Sequence, residues 1–426
     1  MTEAEGFPSA LREAGTRRTR SVGMRPKDLI CKCLPKGKHR RSCKGNHVRD
    51  NAMILKGAIE ALQDSSSNTS ETILKQLQYL VLVLQGLQEV NSKCQPSEDF
   101  LGATEILFTE DIPVLLLAKL EVLDFQSRAA ATNLCCILLQ PGFPCGFDEK
   151  VLGYFSRNES LLELLLQMCM KEKVSTCSGI VLLSCLKHEL LAEAFVKNRC
   201  LFSLLDLVQH SNFQISTDAF SCLREVLLKH VKITGQWLRE EDNLDKFFRH
   251  YNGLITCNNY VVQRQAIKLW SDFLLDRNNT NAMVSYVTDD RHLRVIMNLL
   301  RDHSRTLRYE AFHLFKLFAA NPDKPARVQK ILTKNQQGLL ELISNLESIT
   351  SDDEQFSKDK KCVIDKIQAL PGSGETLVTL TLSSVKLEIT DRSGTSIAST
   401  ADTDTDETGG VVRSHLQRHS REIMSL

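Results

Sequence analysis

The sequence has no excess of charge of either sign. Its 426 residues hold 53 Lys and Arg against 52 Asp and Glu, for a formal net charge of +1 at pH 7. Nucleic acids and anionic membranes attract proteins that carry a strongly basic field, so this balance argues against both as partners. It also argues against an RNA-binding helical repeat protein, because such a protein would need a strongly basic groove.

Long apolar runs are missing as well. The beginning of the chain lacks the apolar stretch of a secretory signal. The runs YLVLVL and LLELLLQMCM are too short and too interrupted to span a bilayer. Most of the fourteen cysteines lie inside apolar helical runs, where a reduced thiol behaves as a small hydrophobic group. We therefore predict a cytoplasmic protein that does not enter a membrane.

The residue patterns typical of catalysis are absent. There is no phosphate-binding glycine loop, no Gly-x-Ser-x-Gly and no His-Glu-x-x-His. The eleven histidines are scattered, and the closest pairs lack carboxylate or cysteine partners. The sequence thus predicts a protein that is not an enzyme and that binds no cofactor.

Two segments imitate metal sites without completing them. Residues 31–47 follow Cys-x-Cys-x9-Cys-x3-His, whose first spacing is shorter than zinc sites use. The alternating aspartates at 402–406 resemble the start of a calcium loop. However, Glu407 replaces the required glycine, and Arg413 stands where the bidentate glutamate belongs. We predict no metal site.

What the sequence does contain is a repeated helical pattern. In the clearest copy, the pair Ala266-Ile267 is followed at plus four by Trp270 and at plus seven and eight by Phe273-Leu274. Similar offsets recur from pairs that begin at 130, 179, 219 and 311. A period of about 40 to 47 residues is typical of armadillo and HEAT repeats. We predict an all-α, armadillo/HEAT-like helical-repeat solenoid, a curved rod of about six repeats. The alternative is an ordinary helical domain whose helices resemble one another by chance.

Composition changes at both ends of this repeat region. Residues 1–50 hold 13 Lys or Arg against 5 acids, and predict a disordered basic N-terminal arm. Its basic clusters RRTR and KGKHRR leave a nuclear-import signal open beside a plain solvated arm. Helices are expected from about Ala52, within a repeat scaffold over 51–371. Residues 372–426 are rich in Ser, Thr, Asp and Gly, and predict a mostly disordered C-terminal tail.

One exposed stripe accompanies the clearest copy of the pattern. Tyr260, Arg264 and Lys268 fall on one line outside the apolar arc of their helix, and Arg277 extends the basic character at its end. Tyrosine and arginine are frequent anchors of protein interfaces. The stripe therefore suggests a docking surface for an acidic or polar partner helix, with a solvated helix face as the alternative.

Three segments of the C-terminal half resemble a known family. NYVVQRQAIKLWSDFLLDR, VIMNLLRDHSRTLRYEAFHLFKLFAANPDKP and ILTKNQQGLLELI are similar to the calcium-binding protein 39 family, also called the mouse protein 25 family. Weaker similarity extends over about residues 70 to 370. The resemblance implies a non-catalytic, horseshoe-shaped scaffold, itself monomeric, that binds sterile-20-like kinases and a related pseudokinase. It holds them in the closed, active conformation, in one case within a heterotrimeric kinase complex.

The resemblance also implies two surfaces. The first is a concave face for docking the kinase, and the second is a pocket for a Trp-Glu-Phe tail peptide. Thr280 stands where the family has an aromatic ring, Arg294 where lysine is common, and Leu183 where arginine is common, so the chain is a diverged member. The residues implied for the concave face are Phe213, Tyr260, Arg264, Lys268, Arg277 and Thr280. Those implied for the peptide pocket are Arg294 and Met297.

The predicted function is therefore a scaffold that binds and allosterically activates a sterile-20-like kinase or a related pseudokinase. The alternative is a generic armadillo-type adaptor, in import or assembly, without kinase activation. An import adaptor would carry arrays of tryptophan with asparagine four residues on, whereas Trp270 is followed at that distance by Leu274.

Overall fold

The computed structural model describes residues 40–62, 67–90, 98–140, 148–158, 160–349 and 353–371. Within these residues it contains twenty α-helices, one 3-10 turn and no strand, which confirms the all-α prediction. Among the described helices, none is both long and apolar enough to cross a membrane.

The chain divides into two compact units near residue 140. The first contains the residues up to Leu138 together with Gly142–Asp148, and the second contains Leu139–Pro141 and everything from Glu149 onward. In the first unit, α2 packs along α5, the helix three positions later in the chain. The described helices of this unit are α1 (Arg40–Glu60), α2 (Ser67–Val90), α3 (Glu98–Thr109), α4 (Ile112–Ala118) and α5 (Phe125–Leu138).

The second unit is built from triplets of helices. The first two triplets are α6 (Asp148–Arg157), α7 (Ser160–Cys169) and α8 (Ser175–Leu186), then α9 (Glu189–Lys197), α10 (Cys200–Val208) and α11 (Phe213–Lys229). The third is α12 (Val231–Trp237), α13 (Glu241–Ile255) and α14 (Tyr260–Leu274). The fourth is the turn η1 (Arg277–Asn279) with α15 (Thr280–Thr288), α16 (Asp290–Leu299) and α17 (Arg305–Ala320). The fifth is α18 (Ala326–Lys334), α19 (Gln336–Ser344) and α20 (Glu354–Gln368).

Many helices of this unit pack on the one three positions later in the chain. The third helices show this without a break, since α8, α11, α14, α17 and α20 each contact the next. Among second helices α7 contacts α10 and α10 contacts α13, and among first helices α9 contacts α12. Contacts between equivalent helices of successive triplets define an armadillo-type repeat. The armadillo/HEAT-like prediction is therefore confirmed.

Two histidine rings also bond to carbonyl groups about one repeat earlier in the chain. The ring of His188 bonds through Nε2 to the carbonyl oxygen of Leu139 at 2.7 Å, and that of His230 bonds in the same way to Leu186 at 2.6 Å. Leu186 ends the third helix of the first triplet, so each histidine satisfies a carbonyl group that a helix end leaves without an intrahelical partner.

The predicted register is right for three third helices. The pairs that begin at Ala219, Ala266 and Ala311 start the buried faces of α11, α14 and α17. All the apolar residues that the pattern assigned to these helices are buried.

The predicted register of the apolar pattern is one residue off in α8 and in α5. In α8, Ile180 is 45% exposed whereas Leu182 and Cys185 are buried, so the pattern begins at 178 and not at 179. In α5 it begins at Ala131, since Ala130 is only half-buried. Small or apolar residues occur nearly all round both helices, and periodicity then does not fix which side faces the core.

The first helix begins earlier than expected. It starts at Arg40, twelve residues before Ala52, so the last part of the predicted basic arm is helical. Val48, Ala52 and Leu55 are buried along one side of it, and the basic residues that precede Val48 conceal this face in the sequence. The remainder of the arm and the tail after Pro371 lie outside the described residues.

Trp270 is the centre of the core of the second unit. Its side chain is fully buried, and its ring stacks on Tyr251 at 4.3 Å and on Phe273 at 5.2 Å between centroids. The hydroxyl of Tyr251 donates a hydrogen bond of 2.9 Å to the carbonyl oxygen of Ala266. The two neighbouring helices α13 and α14 are thus locked together at the small residue that starts the pattern.

We expect Trp270→Ala to lower the free energy of unfolding by about 3–5 kcal/mol, because it leaves a cavity in a closely packed core. Phe213→Ala removes a ring that is 66% exposed, and we expect it to stay within about 0.5 kcal/mol of the wild type. Urea unfolding followed by far-UV circular dichroism checks both. Similar losses for the two variants would contradict this description of the core.

Candidate functional site

Two exposed rings lie directly after helix-capping asparagines. The side-chain oxygen of Asn212 accepts hydrogen bonds from the backbone N–H groups two and three residues on, at 3.0 and 3.4 Å. Asn259 does the same at 3.1 and 3.3 Å. These caps set where α11 and α14 begin. They leave Phe213 and Tyr260 at the first helical position, 66% and 46% exposed.

The two rings belong to one face. Both lie six residues before the start of the buried pattern, at Ala219 in α11 and at Ala266 in α14. Because α11 and α14 pack side by side as third helices, equivalent positions on them face the same way. The structure therefore brings Phe213 to the same surface as the stripe predicted on α14.

Arg264 and Lys268 continue this surface along α14. They follow Tyr260 by four and eight residues, on successive turns of one line, and both are exposed. Neither forms an ion pair within 4.0 Å with any residue that the structure describes. Some exposed cations elsewhere are paired: Arg249, for example, lies 3.1 Å from a carboxylate oxygen of Asp245. We call Phe213, Tyr260, Arg264 and Lys268 the docking ridge.

Two carboxylates lie near the docking ridge at longer range. Glu310, on α17, is 8% exposed, and burial raises the pKa of its carboxyl against the opposing effect of Lys268 and Arg264. Burial also raises the pKa of Asp272, here against Lys268 and Arg224. The exposed Arg224 of α11 is thus a further cation beside the ridge. Sequence reasoning missed it, because its relation to Asp272 depends on the packing of two helices.

Arg277 and Thr280 lie away from the docking ridge. They stand in η1 and at the start of α15, beyond the end of α14, whereas Tyr260 begins that helix. The length of α14 separates the two positions by roughly 22 Å. Arg277 is exposed, and the half-buried Thr280 donates its hydroxyl to the Arg277 carbonyl oxygen at 2.8 Å. Four of the six residues predicted for the concave face thus share one surface, and Arg277 and Thr280 lie beyond the opposite end of α14.

The residues predicted for the peptide pocket lie on another layer of helices. Arg294 and Met297 belong to α16, the second helix of its triplet. The exposed Arg294 donates through Nε to Asp290 at 3.2 Å. Met297 exposes only 6% of its surface, so it offers a narrow apolar edge beside a basic group. The two predicted surfaces are therefore carried by different sets of helices. Leu183, the other diverged position, is half-buried on α8.

A buried polar network fixes the start of α16. The His292 ring stacks on Tyr286 at 4.2 Å, and its Nδ1 accepts a hydrogen bond of 2.8 Å from Asn252. Tyr286 donates to the side-chain oxygen of Asn252 at 3.3 Å. Burial lowers the pKa of His292 to about 4, although the nearby Asp289 opposes the shift. The imidazole is neutral at physiological pH, as the bond from Asn252 requires.

This network predicts a loss of stability in mild acid. Because the pKa of His292 rises from about 4 to 6.5 on unfolding, the unfolded chain binds the additional proton between these values. Stability is then greatest above pH 6.5 and declines as the pH falls toward 4. Between pH 6.5 and 5.5 the wild type should lose about 1 kcal/mol more than His292→Gln. Burial also lowers the pKa of His313 to about 4, so the stability of both the wild type and His292→Gln should still decline somewhat as the pH falls.

Urea titrations at several pH values measure this difference. The exposed His303 supplies a control, and His303→Gln should keep the wild-type pH dependence. A steeper slope in His292→Gln than in the wild type would contradict the neutral buried imidazole.

In the described part of the chain, no group of three or more His, Cys, Asp or Glu side chains is arranged to hold a metal ion. Of the segment at 31–47, only residues 40–47 are described, and the aspartates at 402–406 lie outside the described residues.

Comparisons with known proteins cover most of the repeat region. A family model described as Mo25-like matches residues 38–371. The human protein named "Calcium-binding protein 39-like" is 32% identical over 323 residues, 76% of this chain and 93% of that protein. The "Mo25-like protein" of Schizosaccharomyces pombe is 30% identical over 310 residues, 72% of this chain and 92% of that protein. A computationally designed armadillo repeat protein gives a TM-score of 0.40 at 14% identity over 59% of this chain and 98% of its own. The armadillo-type fold of this chain follows from its helix triplets.

Proposed function

This chain belongs to the Mo25-like family, and from that premise we propose that it is a non-catalytic scaffold for a sterile-20-like kinase or a related pseudokinase. Family membership supports the scaffold role. The observation that carries the kinase assignment is the docking ridge, where two exposed rings lie on adjacent third helices beside two cations that form no ion pair with a described residue.

The docking ridge has the chemistry to bind an amphipathic helix. Phe213 and Tyr260 supply rigid apolar anchors, which usually dominate the energy of an interface. Arg264 and Lys268 form no ion pair with a described residue, so their charges are available to carboxylates of the bound protein. If the ridge matches only the closed lobe of the kinase, binding shifts the kinase toward that state by the difference in affinity. A difference of about 1.4 kcal/mol changes the population ratio tenfold.

The second surface then serves as a tether. A Trp-Glu-Phe tail would place its carboxylate near Arg294 and a ring against Met297. Because these residues lie on α16 and the docking ridge on α11 and α14, one partner can occupy both. Two linked contacts strengthen each other through effective concentration without any new interaction.

One observation favours the alternative of a generic armadillo-type adaptor. The far end of the concave face has Thr280 where the family has a ring, and its hydroxyl is already bonded to the Arg277 carbonyl oxygen. An adaptor that binds a partner without holding it in a closed conformation would need the rings of the docking ridge. It would need no aromatic anchor at the position of Thr280.

Arg264→Ala should weaken kinase docking about tenfold, because it removes an interface cation, and should reduce activation accordingly. Binding of a Trp-Glu-Phe peptide should not change, since Arg294 and Met297 lie on α16. The measurements are a kinase assay with a purified sterile-20-like kinase and fluorescence anisotropy with labelled peptide. Arg249→Ala, an exposed arginine on α13, is the matched control and should behave as the wild type.

Equal losses in the two assays would contradict the division between the surfaces. If Arg264→Ala docks the kinase as well as the wild type does and also binds the peptide normally, the docking ridge is not part of the kinase interface. The generic armadillo-type adaptor would then be the remaining function.

Met297→Glu should abolish capture of the Trp-Glu-Phe peptide, because the new carboxylate repels the peptide's own. Met297 is 6% exposed, so this variant also places a charge in a nearly buried position and its folding must be checked by thermal unfolding. Arg294→Ala, at an exposed position, should weaken peptide binding about tenfold without changing stability. Wild-type peptide affinity in both folded variants would disprove the pocket.

A further inference from the structure

The cations at the docking ridge are not neutralised within the described fold. Arg224, Arg264 and Lys268 are exposed and form no ion pair within 4.0 Å with a described residue. Two carboxylates that these cations influence are Asp272 and the mostly buried Glu310. The three exposed cations are therefore accessible to an acidic ligand.

The chain itself contains an acidic segment that lies beyond the family match. The match ends at residue 371. Further on, the sequence ADTDTDE places four carboxylates at 402–407, and no Lys, Arg or His occurs from 393 to 412. A segment of one charge sign is suited to a surface that carries the opposite sign.

The spacing of these acids matches the spacing of the ridge cations. Asp402, Asp404 and Asp406 alternate with threonines. In an extended chain, alternate side chains point to the same side, about 6.6–6.8 Å apart. Arg264 and Lys268 are four residues apart on a helix, which corresponds to a rise of about 6 Å. Neighbouring aspartates can therefore pair with both cations at once, while the threonines face away.

The connection is long enough for the segment to reach the ridge. The last described helix, α20, packs on α17, and α17 packs on α14. With about 10 Å between neighbouring helix axes, α20 lies roughly 20 Å from α14. The chain of about 30 residues between Pro371 and Asp402 extends up to about 100 Å. The segment thus reaches either end of α14.

We propose that residues 402–407 bind the docking ridge of their own chain as an intramolecular competitor of acidic partner proteins. The segment covers Arg264 and Lys268 in the free protein, and a partner must displace it. That the competitor reduces kinase binding rests on the proposed function, whereas its docking on the ridge does not.

Zero-length carbodiimide cross-linking of the full chain tests the docking directly, because this reagent joins a carboxylate to a lysine only when the two are in contact. Peptide mapping by mass spectrometry should find Lys268 joined to residues 402–407 at low ionic strength. The yield should fall about tenfold in 0.5 M salt, since screening weakens exposed ion pairs. Arg264→Gln, which leaves Lys268 in place, should reduce the yield, and Arg249→Gln should not.

Two outcomes would overturn the proposal. One is cross-linking of residues 402–407 to many surface lysines without preference for Lys268. The other is found by mixing ¹⁴N- and ¹⁵N-labelled protein, where links between differently labelled chains would show that a second copy supplies the segment.

The competitor role is measured with a full-length variant that carries Asp402→Asn, Asp404→Asn, Asp406→Asn and Glu407→Gln. Its affinity for a sterile-20-like kinase should exceed the wild-type value about threefold or more, as expected when a competing state is removed. Unchanged affinity, together with the Lys268 cross-link, would disprove competition. If neither protein binds the kinase, the proposed function fails, and the cross-link still decides whether the segment docks.

Discussion

Close packing of the third helices at buried small residues is the constraint on which the rest of the second unit depends. Ala219, Ala266 and Ala311 are buried at the start of the pattern in α11, α14 and α17. In α8, where the pattern begins at Ser178, a Cβ on the next residue, Gly179, would lie 3.4 Å from the Cβ of Asp218 on α11. Larger side chains there would separate the helices and open the core. Close stacking keeps one side of the third helix of each triplet in the interior, so the opposite side faces outward.

The docking ridge follows from this constraint. Positions six and two residues before the small residue, and two after it, face outward in α14, where they are Tyr260, Arg264 and Lys268. They are free to carry binding residues because packing makes no demand on them. On α17, the residue two before Ala311 is Tyr309, whose hydroxyl donates to Asp353 at 2.7 Å. The last triplet therefore contacts the equivalent ridge on α17 at this position, whereas Tyr260, Arg264 and Lys268 are exposed on α14.

The strength of the amphipathic pattern decided what the sequence alone could predict. In α11, α14 and α17, most bulky apolar side chains lie on the side that faces the core, and both the register and the exposure of Tyr260, Arg264 and Lys268 were right. In α8, the run SGIVLLSCL is apolar on most sides, and the predicted register was one residue off. Arg224 and Glu310 were missed for another reason. They influence the ridge from neighbouring helices, and spacing along one helix contains no information about its neighbours.

The position of the apolar anchors limits how a partner can approach. Phe213 and Tyr260 both stand at the first position of their helices, and neighbouring helix axes are about 10 Å apart. A partner helix that crosses these two helix ends meets a ring about every 10 Å, which corresponds to roughly seven of its own residues. The opposite end of α14 offers the exposed Arg277 and the half-buried Thr280, without a ring. In the proposed complex, the apolar anchors would therefore be concentrated at the N-terminal ends of the third helices. A kinase that relies on an aromatic contact at both ends of α14 would lose one of them here, and the proposal predicts selectivity according to how much each kinase depends on that contact.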